Sequence, residues 1–560
     1  MANDQADTEG GAGILNESPP EVVADQIPSP TLVKSGSTAS EALIDLLGLR
    51  LPVQSIGTRL LNGLTVATPT VRYFSLRTWL LHRYGTAEPA PPDSWSTFLD
   101  YAKHAEAAFV LANLIREPAT LGLIGSDKGN RKLREAGDPI PLEELTKQAA
   151  ATAFGGPSDQ LRLTRSNPPH LPVIGQELGL PLVEATESSL GETRIGRRLR
   201  STEPLPQAWR SELEEFGAVA WVHDIPEAER EALIQALIPL DPEPDAHPRV
   251  MTYAALLALA SPKAPGTGSD FSGEALLDEA VRADRVTPVI LHSVLDEWLL
   301  YAVRDAVAVT GEASLALLLG TLQNLDPNKL GVEEDRVVRR ALEDATGDMA
   351  LILMELGLSP GGEDLGALSF RELKGRVAAL TPPVRELNGF QWWRGPLMEP
   401  TLYRAVAGAR GGVLALGILS WILAERRTGD AVRSGHPAAD PLSAGGDARF
   451  GLRQMILPRL GEWERRSVDV LEAVADYCYL ILDQHLQVVW RRMAADPGKD
   501  PSIFHRDGSE IRWTAHYKGG RADTRIEIAV SWLHQLRLLE DGRTTARGLH
   551  LLEDLTRDSP

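Results

Sequence analysis

Apolar residues at helical spacing dominate the middle of this chain and constrain its fold more than any other feature. Residues 287–310 begin with Thr-Pro, which places proline at the first helical position, and continue as an amphipathic pattern. The 3.6-residue period recurs over 332–356 and 369–380, and it predicts one long helix over 457–495. Because each amphipathic helix must bury its apolar face against another, the sequence predicts a mostly α protein.

Length and changes in composition divide the chain into parts. Its 560 residues exceed what one hydrophobic core usually organises, so we expect a multi-domain helical protein. The predicted units are a disordered tail (1–40), an N-terminal helical domain (41–204), a helical subdomain (205–265), a central helical domain (274–497) and a small C-terminal α+β domain (498–560). A linker is predicted at 261–273, and a Gly-, Pro- and Asp-rich loop at 428–447.

One region favours β-strands, and it lies in the C-terminal unit. Residues 502–505 and 510–517 are predicted strands on either side of Arg506-Asp-Gly-Ser509. The central pair, Asp507 and Gly508, is a strong signal for a two-residue hairpin turn. We therefore expect a hairpin that turns at these two residues.

The charge balance argues against a protein that is coated by nucleic acid. Lysine and arginine number 57 against 77 aspartate and glutamate, which gives a net charge of −20. Such a surface repels phosphate and disfavours polybasic contacts with membranes. The longest apolar stretch, 411–424, is too short to span a bilayer and fits a buried helix. Residues 1–9 lack the basic and apolar segments of a signal peptide, so we expect a cytoplasmic protein without membrane contact.

The motifs of common chemistries are missing, so we predict no catalytic residue, cofactor or metal ligand. The single cysteine, Cys478, lies in an apolar run and is expected to be a buried small hydrophobe. Residues 122–128 lack P-loop spacing and predict a helix-capping turn. The sequence contains neither His-Glu-x-x-His nor Gly-x-Ser-x-Gly. His292 and Asp296 share a helix face, where we expect salt-bridged or solvated side chains rather than a metal site.

One aromatic segment is a candidate for partner contact. Its candidate interaction residues are Phe390, Trp392, Trp393 and Arg394. Such residues can stack a base or grip a peptide. On an irregular loop they also commonly fill the gap between two helical subdomains, and this second interpretation is preferred.

The C-terminal residues carry a resemblance to a known module. An Ala-Val-Ser-Trp-Leu helix ends in Leu536-Arg-Leu-Leu-Glu540, and Thr544-Thr-Ala-Arg-Gly-Leu-His-Leu-Leu552 opens a last helix. This arrangement, over 521–555, resembles the tail of a winged-helix domain, a module that binds DNA or another protein. The resemblance implies phosphate contacts for four arginines: Arg521, Arg525, Arg543 and Arg547. In the family the wing hairpin follows the recognition helix, whereas the predicted hairpin here precedes it.

Three N-terminal segments carry a second resemblance. They are Thr70-Val-Arg-Tyr-Phe-Ser-Leu-Arg-Thr-Trp-Leu-Leu81, Glu106-Ala-Ala-Phe-Val-Leu-Ala112 and Gly122-Leu-Ile-Gly-Ser-Asp127. Together they are similar to a group of large bacterial proteins, some of them associated with phage-defence loci. The resemblance implies a bacterial antiviral setting.

These patterns rank three functions. The first is a non-catalytic helical scaffold that binds a partner protein, as a subunit of a bacterial antiviral complex. The second is a DNA-binding protein that acts through the C-terminal winged helix. The third is an enzyme whose site is assembled from residues scattered along the sequence.

Overall fold

The computed structural model of the protein describes residues 45–65, 69–120, 122–142, 145, 150–261, 274–281, 285–361, 363–380, 383–387, 390–393, 410–434, 455–495, 500–517 and 525–557. The predicted disordered tail and nearly all of the predicted linker at 261–273 lie outside these residues.

Helices form most of the described chain, which confirms the mostly α prediction. In chain order they are α1 (Arg50–Leu60), α2 (Arg72–Gly85), α3 (Trp95–Arg116), α4 (Ser126–Glu135), α5 (Ala150–Ala153), α6 (Gly155–Gln160), α7 (Gly179–Leu190), α8 (Arg194–Arg198), α9 (Arg210–Val219), α10 (Glu227–Leu237), α11 (His247–Leu259), α12 (Glu274–Val281), α13 (His292–Leu325), α14 (Glu334–Glu355), α15 (Phe370–Leu380), α16 (Val413–Ser434), α17 (Leu457–Arg466), α18 (Val470–Ala495), α19 (Ile526–Gln535) and α20 (Ala546–Thr556).

Short strands occur along the whole chain, not only near its end. They are β1 (Ile140–Pro141), β2 (Thr164–Arg165), β3 (Val173–Ile174), β4 (Gln207–Ala208), β5 (Val332–Glu333), β6 (Pro383–Leu387), β7 (Phe390–Trp393), β8 (Phe504–Asp507), β9 (Glu510–Trp513), β10 (Leu539–Glu540) and β11 (Arg543–Thr544). All pair antiparallel, as β1–β4, β2–β3, β6–β7, β10–β11 and the three-stranded sheet β5–β9–β8. The prediction of a single strand region was wrong. β1 to β5, β10 and β11 have two residues each, too few to carry a period-2 pattern, and the longer hairpin β6–β7 was overlooked.

The 34-residue helix α13 is the centre of the packing. It contacts α1, α12, α14, α16 and α18. Between Val294 and Glu312 every side chain except Glu297 is buried. A helix that is buried on all sides must be surrounded by other elements, so α13 organises the central helices around itself.

The same helix belongs to a stretch that is long and apolar. Within the described residues, Val289–Leu325 has the length and composition to cross a membrane, and 72% of its most apolar part is buried inside the protein. Helix α16 buries Val413–Ala424, which confirms the buried helix expected over 411–424.

Two helix boundaries differ from the predictions. The single helix expected over 457–495 is broken at Ser467, whose φ is +55°. There the backbone pairs with a distant segment: Phe370 N donates to Val468 O (3.0 Å) and Val470 N donates to Leu368 O (2.9 Å). The predicted loop at 428–447 is also wrong at its start, since α16 continues to Ser434; residues 435–447 lie outside the described chain.

The C-terminal hairpin exists, but its turn is displaced by one residue. Asp507 pairs with Glu510, so Gly508 and Ser509 are the turn residues instead of Asp507 and Gly508. Gly508 adopts φ +61°, which only glycine reaches without strain. β9 also pairs with β5, whose Val332 lies opposite Ile511. The hairpin is therefore joined to the central helices.

Packing is continuous across the predicted domain boundaries. α3 contacts α9, α11 contacts α13, and β5 pairs with β9. The Trp532 ring of α19 meets Phe74 of α2 edge-on at 5.4 Å between centroids. Buried apolar residues form one cluster that runs from Leu46 to Leu555. The first and last described helices thus share a core.

A buried ion pair joins α2 to α10. Arg72 donates to both carboxylate oxygens of Glu229, from Nε at 3.0 Å and from Nη2 at 2.8 Å. It also donates to Trp221 O at 2.7 Å. Both charged side chains are almost completely inaccessible. Loss of one partner would leave an uncompensated buried charge.

We expect Arg72→Met or Glu229→Leu alone to lower the free energy of unfolding by about 3–5 kcal/mol, because each strands a buried charge. The double variant should recover most of that loss. Urea unfolding measures all three. Arg340→Gln, which removes a half-exposed ion pair with Asp344, is the control and should cost at most about 1 kcal/mol. Equal effects of the single and double variants would contradict this account.

Candidate interaction surface

Two of the four arginines implied by the winged-helix resemblance, Arg525 and Arg547, are bonded within the fold. Arg525 precedes α19 and donates from Nη1 to Leu64 O at 3.0 Å. Arg547 forms ion pairs with α10, at 2.7 Å to Glu227 and also to Glu231. Two residues remain: Arg543, exposed on β11, and Arg521, outside the described residues.

Helix α19 faces inwards. Ile526, Ala529 and Trp532 are buried against the core, whereas Glu527 and His534 are exposed. A helix that reads DNA presents basic or polar side chains to the major groove. The exposed face of α19 carries a carboxylate instead.

The candidate aromatic residues lie on a strand rather than on an irregular loop. β7 contains Phe390, Trp392 and Trp393 and pairs with β6, and β7 runs beside α16. Arg394 lies outside the described residues. Asn388 and Gly389 separate the two strands, and Asn-Gly is among the strongest hairpin signals, which the prediction overlooked.

The carboxylates near the start of α13 are held by arginines. Asp296 forms an ion pair with Arg285 at 2.9 Å, and Glu297 with Arg59 at 2.9 Å. His292 Nε2 donates to Thr287 O at 3.1 Å. The salt-bridged face expected there is therefore confirmed. Among the described residues, no three His, Cys, Asp or Glu side chains are arranged to hold a metal ion.

A surface cleft of about 440 Å³ comes nearest to a reaction centre, since His82, Glu184 and Glu187 all line it. Glu187, however, accepts hydrogen bonds from Arg83 Nε at 2.7 Å and from Trp79 Nε1 at 2.6 Å. Burial opposes its charge, but these hydrogen bonds outweigh burial and lower the pKa of Glu187. The carboxylate is engaged in fixing α2 to α7.

A second cleft, of about 610 Å³, lies between α3 and α4. Its polar lining consists of Asp127, Asn130, Arg134 and Arg210, and the lining contains neither histidine nor cysteine. In the first cleft the Thr86 hydroxyl donates to the backbone carbonyl of His82 at 2.8 Å, and the second cleft is lined by no hydroxyl, thiol or imidazole group. Covalent catalysis would require a nucleophile hydrogen-bonded to a base.

The first described residues, 45–50, form a segment that we name the N-terminal latch. Three side chains of α18 hold its backbone. Gln484 Nε2 donates to Leu47 O at 2.7 Å, His485 Nδ1 to Leu46 O at 3.2 Å, and Arg492 Nη2 to Asp45 O. Arg492 lies seven residues after His485 and eight after Gln484, so the three side chains fall within roughly 100° of the circumference of α18.

The latch also places a charge inside the central helix bundle. Asp45 accepts hydrogen bonds from the Leu49 and Arg50 backbone amides, both at 3.0 Å, which fixes the first turn of α1. Arg50 then reaches Glu312 of α13 with two hydrogen bonds, one from Nη2 at 2.6 Å. Burial opposes the charge of Arg50, but Glu312 outweighs it and raises the pKa of Arg50. Burial itself raises the pKa of Glu312.

His485 is fixed as a neutral side chain by two partners. Its Nδ1 donates to Leu46 O, and its Nε2 accepts from the Ile503 amide at 3.2 Å. Those partners assign the proton to Nδ1. Burial lowers the pKa of His485 to about 4. The imidazole therefore links the latch, α18 and the C-terminal hairpin without carrying charge.

Beyond the latch, the last turns of α18 leave the core. Trp490 is 53% exposed and Met493 is 38% exposed, and Leu486 beside them is partly buried. Residues three and four apart on a helix are neighbours, so these three side chains form one apolar row, which we name the α18 stripe. The sequence analysis missed this row because Trp490 lies within the helix predicted over 457–495, where an apolar residue is expected to be buried.

No family model, curated protein or solved structure matches the chain.

We expect His485 to make stability depend on pH. The folded chain keeps it neutral down to about pH 4, while the unfolded chain binds a proton near pH 6.5. Stability from this group is therefore complete above 6.5 and is lost as pH falls towards 4, by roughly 2 kcal/mol at pH 4.5. His485→Gln should flatten the fall in unfolding free energy between pH 7 and 4.5. The exposed-residue control His550→Gln should not; an unchanged slope in His485→Gln would contradict the assignment.

Proposed function

We propose that the protein is a non-catalytic helical scaffold that binds a partner protein through the α18 stripe. The observation that supports this most is the exposure of Trp490 and Met493 at the end of a helix whose earlier turns are buried. Tryptophan is the residue type most enriched among those that dominate binding energy at protein interfaces. Adjacent exposed apolar side chains are typical of interaction surfaces.

The chemistry of the stripe favours a particular kind of partner. Arg491 lies between Trp490 and Met493 in sequence, so the apolar row has a basic neighbour. We expect the partner to offer an apolar groove or helix with acidic residues at its edge, since complementary charge steers association. The bacterial antiviral setting implied by the N-terminal resemblance is part of this proposal.

The two other functions have less support. DNA binding through a winged helix would need basic side chains directed outwards, and two of the four candidate arginines are bonded within the fold. An enzyme would need a nucleophile or base near a cleft, and Glu187 in the nearest such cleft is held by Arg83 and Trp79.

We expect Trp490→Ala combined with Met493→Ala to reduce capture of a partner protein at least about tenfold, because truncation of central interface residues commonly costs this much or more. The measurement is affinity purification of the tagged full chain from its native cell, with quantitative mass spectrometry of the co-purified proteins.

Leu351→Ala with Met354→Ala is the matched control, since it removes an exposed apolar pair at the same spacing from α14. It should leave capture unchanged. Equal recovery of partners by the stripe variant and the parent would contradict the proposal. Recovery of nucleic acid in place of protein would favour the DNA-binding alternative.

A further inference from the structure

We infer that the chain's own N-terminal segment, residues 1–44, binds the α18 stripe and competes with the partner for it. This inference depends on the proposed function for its consequence, but not for its test. Three features support it: where the segment joins the described chain, what it is composed of, and what surrounds the stripe.

The segment enters the described chain beside the stripe. Arg492 Nη2 donates to Asp45 O, so the residue that follows the segment is fixed on the same helix turn as Trp490 and Met493. Arg492 and Trp490 project from different sides of α18. Half the circumference of a helix about 10 Å across is roughly 16 Å, which about five extended residues cover.

The composition of the segment complements the stripe. Its seven acidic residues, against the single Lys34, are Asp4, Asp7, Glu9, Glu17, Glu21, Asp25 and Glu41. Beside the stripe, the end of α18 carries Arg491; the adjacent Arg492 already donates to Asp45 O of the latch. An acidic segment next to a basic helix end is attracted to it, and the attraction is local because both lie within a Debye length of about 8–10 Å once docked.

One part of the segment has the apolar residues that the stripe needs. Glu21-Val-Val-Ala-Asp-Gln-Ile27 lies between Pro20 and Pro28 and places Val23 and Ile27 four residues apart. A spacing of four residues matches the helical period, and Glu21 and Asp25 have the same spacing. Residues 28–44 span at most roughly 60 Å, far more than the path around α18 requires.

Covalent connection makes such binding effective even when it is weak. A tethered segment experiences an effective concentration in the millimolar range, so an intrinsic dissociation constant of about 0.1 mM gives roughly tenfold occupancy over vacancy. A partner would then bind about tenfold more weakly than to an open stripe. The segment would thus set a threshold for partner binding.

Photocrosslinking of the full chain tests the inference without any partner. p-Benzoylphenylalanine replaces Trp490, and the matched control places it at Met354 on α14. After irradiation of the purified protein, peptide mass spectrometry locates the crosslinks. We expect position 490 to crosslink within residues 21–27 of the same chain, and position 354 not to do so.

Charge variants test whether the acidic residues at 21 and 25 contribute to the binding. Glu21→Lys with Asp25→Lys should lower the crosslink yield from position 490 about tenfold, since two attractive charges become repulsive. Asp4→Lys with Asp7→Lys makes the same net change outside the motif and should lower it much less. Crosslinks only to residues 435–454, only to a second copy, or none at all would overturn the inference.

The outcomes separate this inference from the proposed function. Crosslinks to 21–27 together with unchanged partner capture by the Trp490→Ala and Met493→Ala variant would contradict the proposed function and leave the inference intact. Loss of partner capture in that variant, without those crosslinks in the parent, would contradict the inference and leave the proposed function intact.

Discussion

A carboxylate buried in the middle of an apolar helix stays charged at low cost only when a cation reaches it, and Arg50 supplies that cation to Glu312 of α13. The pair can form only if α1 begins beside the middle of α13. Asp45 fixes that beginning by accepting two backbone hydrogen bonds, and α18 holds Asp45 through Arg492. One buried charge therefore positions the N-terminal latch, sets α1 along α13 and brings the start of the described chain to the end of α18.

Within the described residues, buried polar groups join helices to one another. Arg72 and Glu229 join α2 to α10, and Arg249 donates to Leu237 O at 3.0 Å at the end of α10. His485 joins three segments while neutral. Burial raises the pKa of Cys478, which makes its thiol unreactive as well as inaccessible. Because these groups are occupied with one another or with backbone, we place the proposed function at the surface, on the α18 stripe, where Trp490 and Met493 are exposed.

Most helices could be predicted from the sequence, but the contacts that join them could not. α14 begins and ends within two residues of the helix predicted over 332–356, because its apolar period is strong. The break at Ser467 could not be predicted from neighbouring residues, since it depends on backbone hydrogen bonds to residues 368–370. The turn at Gly508 was placed one residue early because Asp-Gly and Gly-Ser both suit a tight turn. The latch depends on contacts between residues more than 400 positions apart, which no local pattern reveals.

The central claim is that the described buried charge pairs orient the helices and that the surface of the protein performs its function. Partner capture by the full chain carrying Arg50→Met together with Glu312→Leu tests that claim most directly, because well-packed apolar residues can replace a buried ion pair without loss of stability. We predict an unfolding midpoint close to that of the parent and undiminished capture. A folded variant of normal stability that no longer captures its partner would contradict the account, since it would show that the buried pair contributes to function itself.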